Sequence, residues 1–389
     1  MKISIITPDL SHNCLGRAYL LAKILQKNYE VEIIGPIFGE EIWTPVADDK
    51  SITYKYIKLS GIFRPYLQIV RLSKMVNGDV CYVSKPIFSS LIVGIINKYK
   101  NKKPLVLDID DWQMGFVKDA INNASFTGKL KIFASSFLLY NFGSYWNNLL
   151  CEKLIRYADD VTVSNKFLKD KFGGTIIPHG RDTSDFNPEK YDKFSIREKF
   201  GVEMSKKVVM FFGTPRTHKG IDNLIDALTM IRDNDVLLML VGVDKKDPFS
   251  LELINLAKKR LNNNFIEFGL QPFDKIPEFL AVADVVVIPQ KKNCASIGQV
   301  PAKVFDAMAM AKPIIATDVS DLPDILRGCG WIVEPENPEQ LAKSIQYVLN
   351  NPDESNIIGW NARKKCINEY SWFVMWKELI KLFEKYEKT

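Results

Sequence analysis

The sequence predicts an α/β fold of two doubly wound, Rossmann-like domains. Three observations carry that prediction. Short, nearly continuous apolar runs rich in β-branched residues alternate with longer stretches of helical periodicity, the pattern of parallel strands covered on both faces. The alternation runs through the chain twice. Between the two series, "PHGRDTSDFNP" (178–188) gathers Pro, Gly and Asp, and the periodicity lapses as at a domain seam.

The first series opens with "KISIIT" as a strand, "LGRAYLLAKILQKN" as a helix and "YEVEIIGP" as the next strand. "DVCYVS", a helix over 87–99, "PLVLDID", a helix near 145–157, "DVTVS" and "GTIIPHG" complete it. The second series gives "KVVMFFG", helix 219–232, "VLLMLVG", helix 250–262, "NFIEFG" and helix 274–282. It goes on with "DVVVIP", helix 302–311, "PIIATD", "GWIVEP" and helix 338–350. The tail 368–389 spaces Trp372, Met375, Trp376, Leu379, Leu382 and Phe383 as one face of a long amphipathic helix.

Composition narrows the function classes. At 47% hydrophobic and 25% charged over 389 residues, the chain is ordinary for a globular protein of two or three domains. A net charge of +6 is mild. It permits a nucleotide or an acidic membrane surface and gives no reason to expect a nucleic acid. The six cysteines are scattered with no C-x-x-C pair, so neither a zinc site nor a disulfide framework is expected, and reduced thiols fit the cytoplasm. "MKISIITPDL" lacks the shape of a signal peptide, and no apolar run approaches the roughly 18 residues of a spanning helix.

The strand ending at Gly213 hands over to a helical pattern through a turn that holds Arg216 and Lys219. In open α/β sheets ligands bind beyond the carboxyl ends of the strands. A helix start there favours an anion, Arg forks onto phosphate and Lys adds a point charge. A diphosphate is the natural guest. The turn is no Walker A loop, and no G-x-G-x-x-G follows a strand, so an NAD site is not indicated. Two solvated turn residues are the plain alternative.

"GTPRTHKGIDNLIDAL", "PHGRDTSDFNP", "FLAVADVVVIPQ" and "VPAKVFDAMAMAKPIIATD" together resemble the retaining GT-B glycosyltransferases of family 4. The resemblance is dense from about 160 to 350. It implies a GT-B fold, two Rossmann-like domains facing a central cleft. Residues 1–180 would bind the acceptor, residues 181–370 the nucleotide sugar, and helix 371–389 would return to the first domain. It implies a UDP- or GDP-sugar donor, with Arg216 and Lys219 on its diphosphate. The donor would also meet Gly213 and, on the other domain, Gly16 in "PDLSHNCLGRAY". The family's two glutamates would fall at Gly298 and Asp306. Asp306 can hold the ribose hydroxyls with one methylene less. Gly298 has no side chain, so backbone amides of "ASIGQVP", at Gly298, Gln299 and Val300, would serve the donor instead. Pro301 suits the first turn of the following helix, and Lys303 is either added charge or an exposed helix residue.

Where many relatives carry a histidine, "PLVLDIDDW" carries Asp108, Asp110 and Asp111, and Asp110 aligns best. Strand alternation puts Asp108 and Asp110 on one side, where like charges need a cation, a hydroxyl or a shared proton between them. Arg17 is the candidate cation. Asp110 is a candidate catalytic residue. It would position sugar or acceptor, act as general base, or join a divalent metal site; the last ranks lowest because the resemblance implies that no metal is required. His179 is a structural or a site residue.

Aromatics at 126–146 mix with Lys118, Lys129 and Lys131, and "RPYLQIVRLSKM" (64–75) adds Arg64, Arg71 and Lys74. A basic face beside exposed aromatics can seat a protein on an anionic bilayer, though such stripes are more often core. The expected function is transfer of a sugar, with retention, to a glycan or lipid-linked acceptor hydroxyl in cell-surface polysaccharide assembly, in the cytoplasm or at the inner face of its membrane. The departures at 298, 306 and 110 motivate the alternative, a non-catalytic GT-B protein that binds a sugar nucleotide or glycan or pairs with an active transferase.

Overall fold

The computed structural model describes residues 1–58, 65–135 and 143–387. The chain divides into two compact units. One is Met1–His179 with Ile297–Gln299 and Met375–Thr389; the other is Gly180–Ser296 with Val300–Val374.

In the first unit, strands β1 (Lys2–Ile6), β2 (Glu30–Ile37), β3 (Thr53–Lys58), β4 (Val80–Ser84), β5 (Leu105–Ile109), β6 (Asp160–Val163) and β7 (Thr175–Ile176) form one sheet. Its order is β3-β2-β1-β4-β5-β6-β7, and every pair is parallel. The central strands β4 and β5 are buried throughout, which their unbroken apolar runs demand. Strand β3 is absent from the sequence expectation. "TYKYIK" alternates and stays partly exposed because it is an edge strand, and its Lys55 reaches Glu32 on β2 (2.8 Å).

In the second unit, β8 (Lys207–Phe212), β9 (Val236–Val243), β10 (Phe265–Gly269), β11 (Val285–Ile288), β12 (Ile314–Thr317) and β13 (Trp331–Val333) form a parallel sheet in the order β10-β9-β8-β11-β12-β13. Alternation within β8 feeds two separate cores. Val208, Met210 and Phe212 face one; Val209 and Phe211 face the other. Helix Pro338–Asn350 falls where its periodicity put it. The helix Pro352–Glu369 was not expected. Its apolar stripe is thin, and it docks through Gly359, where a Cβ would collide with the Ala311 carbonyl, and through the buried Arg363, which donates to Phe186 O (2.6 Å).

The last helix, Trp372–Glu387, contributes to the first unit from Met375 onward. Phe383 packs edge-on against Tyr82 (ring centroids 5.2 Å) and against Tyr29 (6.2 Å), and Trp376 Nε1 donates to Asn28 Oδ1 (2.6 Å).

Among the described residues no helix is long and apolar enough to cross a membrane. Of the aromatic and basic residues singled out for membrane contact, Phe126 is 77% exposed on helix Phe126–Ser135, whereas Phe133 packs against Tyr145 (4.9 Å). Arg64, Phe137, Tyr140 and Phe142 lie outside the described residues.

Candidate active site

In the second unit the chain order reverses beside β8, between β8 and β11, the place where open α/β sheets take ligands. β8 ends at Phe212, and Gly213 follows at φ +101°, its N–H bonded to Val241 O (2.8 Å). That backbone is open to glycine and strained for other residues. A 3-10 turn, Thr217–Lys219, leads to Gly220 at φ +65°, and only then does helix Ile221–Met230 begin. The expected helical start at 219 is thus corrected by two residues, because Gly220 takes a left-handed conformation against the Pro289 carbonyl.

Two cations stand in this corner. The Arg216 guanidinium is partly exposed, donates to Pro215 O (3.1 Å) and lies 3.7 Å from Asp247. The Lys219 ammonium donates to Thr214 O (2.7 Å). Held by backbone carbonyls just past the end of β8, they can receive an anion. Lys303 comes in from helix Lys303–Ala309 and is buried, not an exposed helix residue. Its Nζ lies 3.8 Å from the Phe211 ring centroid and has no hydrogen-bond partner among the described residues. Burial, reinforced by the charge of Lys219 and opposed by Asp306, pushes this amine well below the usual lysine range. The helix starts at Lys303 rather than 302, so Pro301 lies ahead of its first turn. At the end of β11 both polar atoms of the buried Gln290 amide likewise lack partners among the described residues.

Asp306 is buried on the same short helix, and Arg181 grips it from the seam segment. Arg181 Nε donates to one carboxylate oxygen and Nη2 to the other (3.3 Å). The Arg181 backbone is pinned in turn, its N–H bonded to Tyr370 O (3.0 Å) and its carbonyl accepting from Trp372 (2.9 Å). Burial pushes the Asp306 carboxyl up, with Arg181 pulling against it. A ribose hydroxyl at Asp306 would share the carboxylate with this guanidinium.

In the first unit the ends of β1, β4, β5 and β6 gather a buried polar cluster. Arg17, on helix Leu15–Leu25, forks onto Asp108 with Nε and Nη2 (2.9 and 2.8 Å) and also donates to Ile177 O and Pro178 O. Thr162 adds a hydroxyl to Asp108 (2.7 Å). Asp110 and Asp111 do not share Arg17. Lys85 stands between them with its Nζ 2.6 Å from each. Lys85 follows β4 at φ +67°, a strained conformation for a side chain with a Cβ, and such strain recurs at functional sites. Burial alone would lower the Lys85 ammonium, but the two carboxylates outweigh it and hold it above its ordinary value. Burial, opposed by Lys85 and reinforced by Asp111 and Asp108, pushes Asp110 up to about 6. His179 Nε2 lies 4.0 Å from the other oxygen of Asp110.

Residues 297–299 join this cluster. Asp111 and Gln299 form an antiparallel bridge, and the Gln299 amide donates to Asp111 (2.7 Å). Gly298 O accepts from Trp112 N and from Asn165 Nδ2 (3.3 Å each). Val300 is a core residue of the second unit. Gly16 is the second residue of helix Leu15–Leu25, and its N–H is taken by Asn13 O (3.1 Å), so it offers space rather than a spare donor. The structure thus groups Gly213, Arg216, Lys219 and Asp306 in one unit and Gly16, Asp110, Gly298 and Gln299 in the other. Sequence reasoning passed over Lys85 and Arg181, the cations that organise the two carboxylate sites. Among the described residues no group of three or more His, Cys, Asp or Glu is placed to hold a metal ion.

Residues 192–365 match the family model described as glycosyl transferases group 1. An uncharacterized glycosyltransferase of Methanocaldococcus jannaschii is 28% identical over 204 residues, 51% of this chain and 50% of that protein. The alpha-maltose-1-phosphate synthase of Mycolicibacterium smegmatis is 24% identical over 223 residues, 54% of this chain and 56% of that protein. These matches span about half the length of the curated relatives. Over 99% of this chain and all of its own, the Anabaena HepE protein, solved in complex with UDP-glucose, superposes with a TM-score of 0.77 at 18% identity. The fold is a two-domain α/β GT-B fold.

Proposed function

We propose that the chain is a retaining glycosyltransferase of the family 4 type, moving a hexose or related sugar from a UDP- or GDP-sugar to an acceptor hydroxyl. The observation that carries this reading is the corner after β8. There Arg216 and Lys219 are steadied by backbone carbonyls at the carboxyl end of a buried strand, within the segment that matches the family model. UDP-glucose in HepE supports the donor class.

In this reading residues 181–370 take the donor, and residues 1–180 with helix 371–389 take the acceptor. Arg216 and Lys219 bind the diphosphate, Asp306 the ribose, and Gly213 admits the phosphates. Gly16, Gly298, Gln299 and Val300 offer close backbone approach. Asp110 positions the sugar or the acceptor hydroxyl. The bond from the anomeric carbon to the diphosphate breaks as the acceptor oxygen bonds to that carbon on the same face, and the departing diphosphate takes the acceptor proton. The side chains stabilise charge and fix position. No metal is required, so turnover persists in EDTA. The acceptor is a glycan or lipid-linked glycan of the cell surface, met in the cytoplasm at the inner face of the membrane.

Thermal shift with UDP- and GDP-sugars and the free diphosphates tests the donor assignment, since a ligand of the folded state raises its stability. Arg216→Ala and Lys219→Ala each remove a charge-assisted contact worth about 1.5–3 kcal/mol and weaken diphosphate binding about tenfold or more. Proton NMR of the product reads the anomeric configuration. Indifference of the protein to every donor and diphosphate sinks the proposal.

A further inference from the structure

The second unit holds an amine that the binding scheme above leaves unused. Lys303 Nζ is buried, and among the described residues it has neither a hydrogen-bond partner nor a carboxylate in ion-pair reach. Asp306, three residues on, is already gripped by Arg181. A buried polar group without a partner is costly, and native proteins leave few of them. The Phe211 and Phe212 ring centroids lie 3.8 and 5.9 Å from Nζ, and a Cβ on Gly213 would come within 3.0 Å of it. Gly213 opens the corner that holds Arg216 and Lys219.

We propose that the Lys303 amine is a third ligand of the donor diphosphate, reaching it through the space that the missing side chain of Gly213 leaves. The proposal rests on the diphosphate reading of Arg216 and Lys219. Charge argues for this guest. The corner gathers Arg216, Lys219 and Lys303, with Asp247 at 3.7 Å from Arg216 and Asp306 already paired with Arg181. An anion with two or more charges balances it, and a neutral sugar does not.

A functional consequence separates this amine from an inert core lysine. The charged groups that face it are Lys219, from the turn after β8, and Asp306, on its own helix, with Arg181 behind it; the rings of Phe211 and Phe212 lie beside it. Burial and Lys219 favour the neutral amine in the free protein. A dianionic diphosphate beside Nζ favours the ammonium. Binding therefore draws protons from solution.

Calorimetric titration with UDP and with GDP at pH 8, in two buffers of different ionisation enthalpy, measures both affinity and proton uptake. The wild-type protein is expected to show net proton uptake. Lys303→Met is expected to bind the diphosphate about tenfold or more weakly with no uptake. If Lys303→Met fails to fold, Lys303→Gln, which keeps length and a neutral donor, must still abolish the uptake. Unchanged affinity and uptake in these variants, with Arg216→Ala weakened as expected, overturn the role of Lys303 and leave the diphosphate site standing. Binding of neither UDP nor GDP to the wild-type protein overturns the site and this inference together.

Discussion

A Cβ on Gly298 would overlap the Cβ of Trp112 and crowd the Phe167 ring at 3.3 Å. Trp112 has little freedom to yield. Its backbone N–H is bonded to Gly298 O (3.3 Å), its indole donates to Glu152 (2.6 Å), and Phe167 flanks the ring at 5.4 Å. A side chain larger than that of glycine at position 298 thus meets a steric barrier within the first unit. Gly298→Ala is expected to destabilise the protein by about 1–3 kcal/mol through overpacking. Urea denaturation measures it, and wild-type stability in the variant would show that Trp112 moves aside at no cost.

Asp306→Asn leaves the Arg181 guanidinium buried without its counter-charge. Breaking such a pair by removing one partner costs about 3–5 kcal/mol, so a clear drop in the unfolding midpoint is expected. Asp306→Glu keeps the charge and should retain both stability and nucleotide binding better than the amide. Equal nucleotide affinity in Asp306→Asn and the wild-type protein would remove the ribose role and leave only the pair with Arg181.

Burial, against the pull of Lys85, holds the Asp110 carboxyl up to about 6, so its ionised form prevails above that value. Turnover is expected to fall with a midpoint near 6 as the pH drops, and Asp110→Asn should lack this acid limb and turn over about a hundredfold more slowly. Stability runs the other way. The folded protein holds this proton more tightly than the unfolded chain, whose carboxyl titrates near 3.9, so the contribution present below pH ~4 is lost as the pH rises through about 6. An unchanged pH–rate profile in Asp110→Asn reduces the cluster to a structural one.

Lys312, partly buried, donates to Ala281 O and Ala283 O (2.9 and 3.0 Å). Burial, with the charges of Lys193 and Arg197 adding and Asp284 opposing, lowers it to about 7. The unfolded chain therefore binds this proton more tightly, and the protein gains stability as the pH rises from about 7 toward ~10.4. Lys312→Met should flatten that part of the stability curve. Denaturation midpoints at pH 7 and 10 decide it; an identical slope in the two proteins rejects the assignment.

The buried strands were plain in the sequence because burial on both faces forces apolar residues at every position, as in "VVMFF" of β8. Strand β3 was not, since an edge strand keeps its polar residues and loses its signature. The cations Arg216 and Lys219 stood out because a strand, a glycine and a helix pattern framed them. Lys85 had no frame. It sits before a proline, where an extended backbone is usual, yet takes φ +67°. Arg181 and Asp306 are 125 positions apart, and no local pattern announces a pair made by chain reversal. Lys303 was placed on its helix, but its burial depends on Phe211 and Gly213, a strand remote in sequence.

Phe383 packs on Tyr82 in the first unit, and the bridge to Asp111 comes from Gln299. Synthesis proceeds from the amino end, so the unit that leaves the ribosome first is the one that closes last. Its first 179 residues must wait, with the Tyr82 surface bare, while the whole of the other unit is made. A chain that ends before residue 375 lacks the Phe383 ring that packs on Tyr82 and Tyr29.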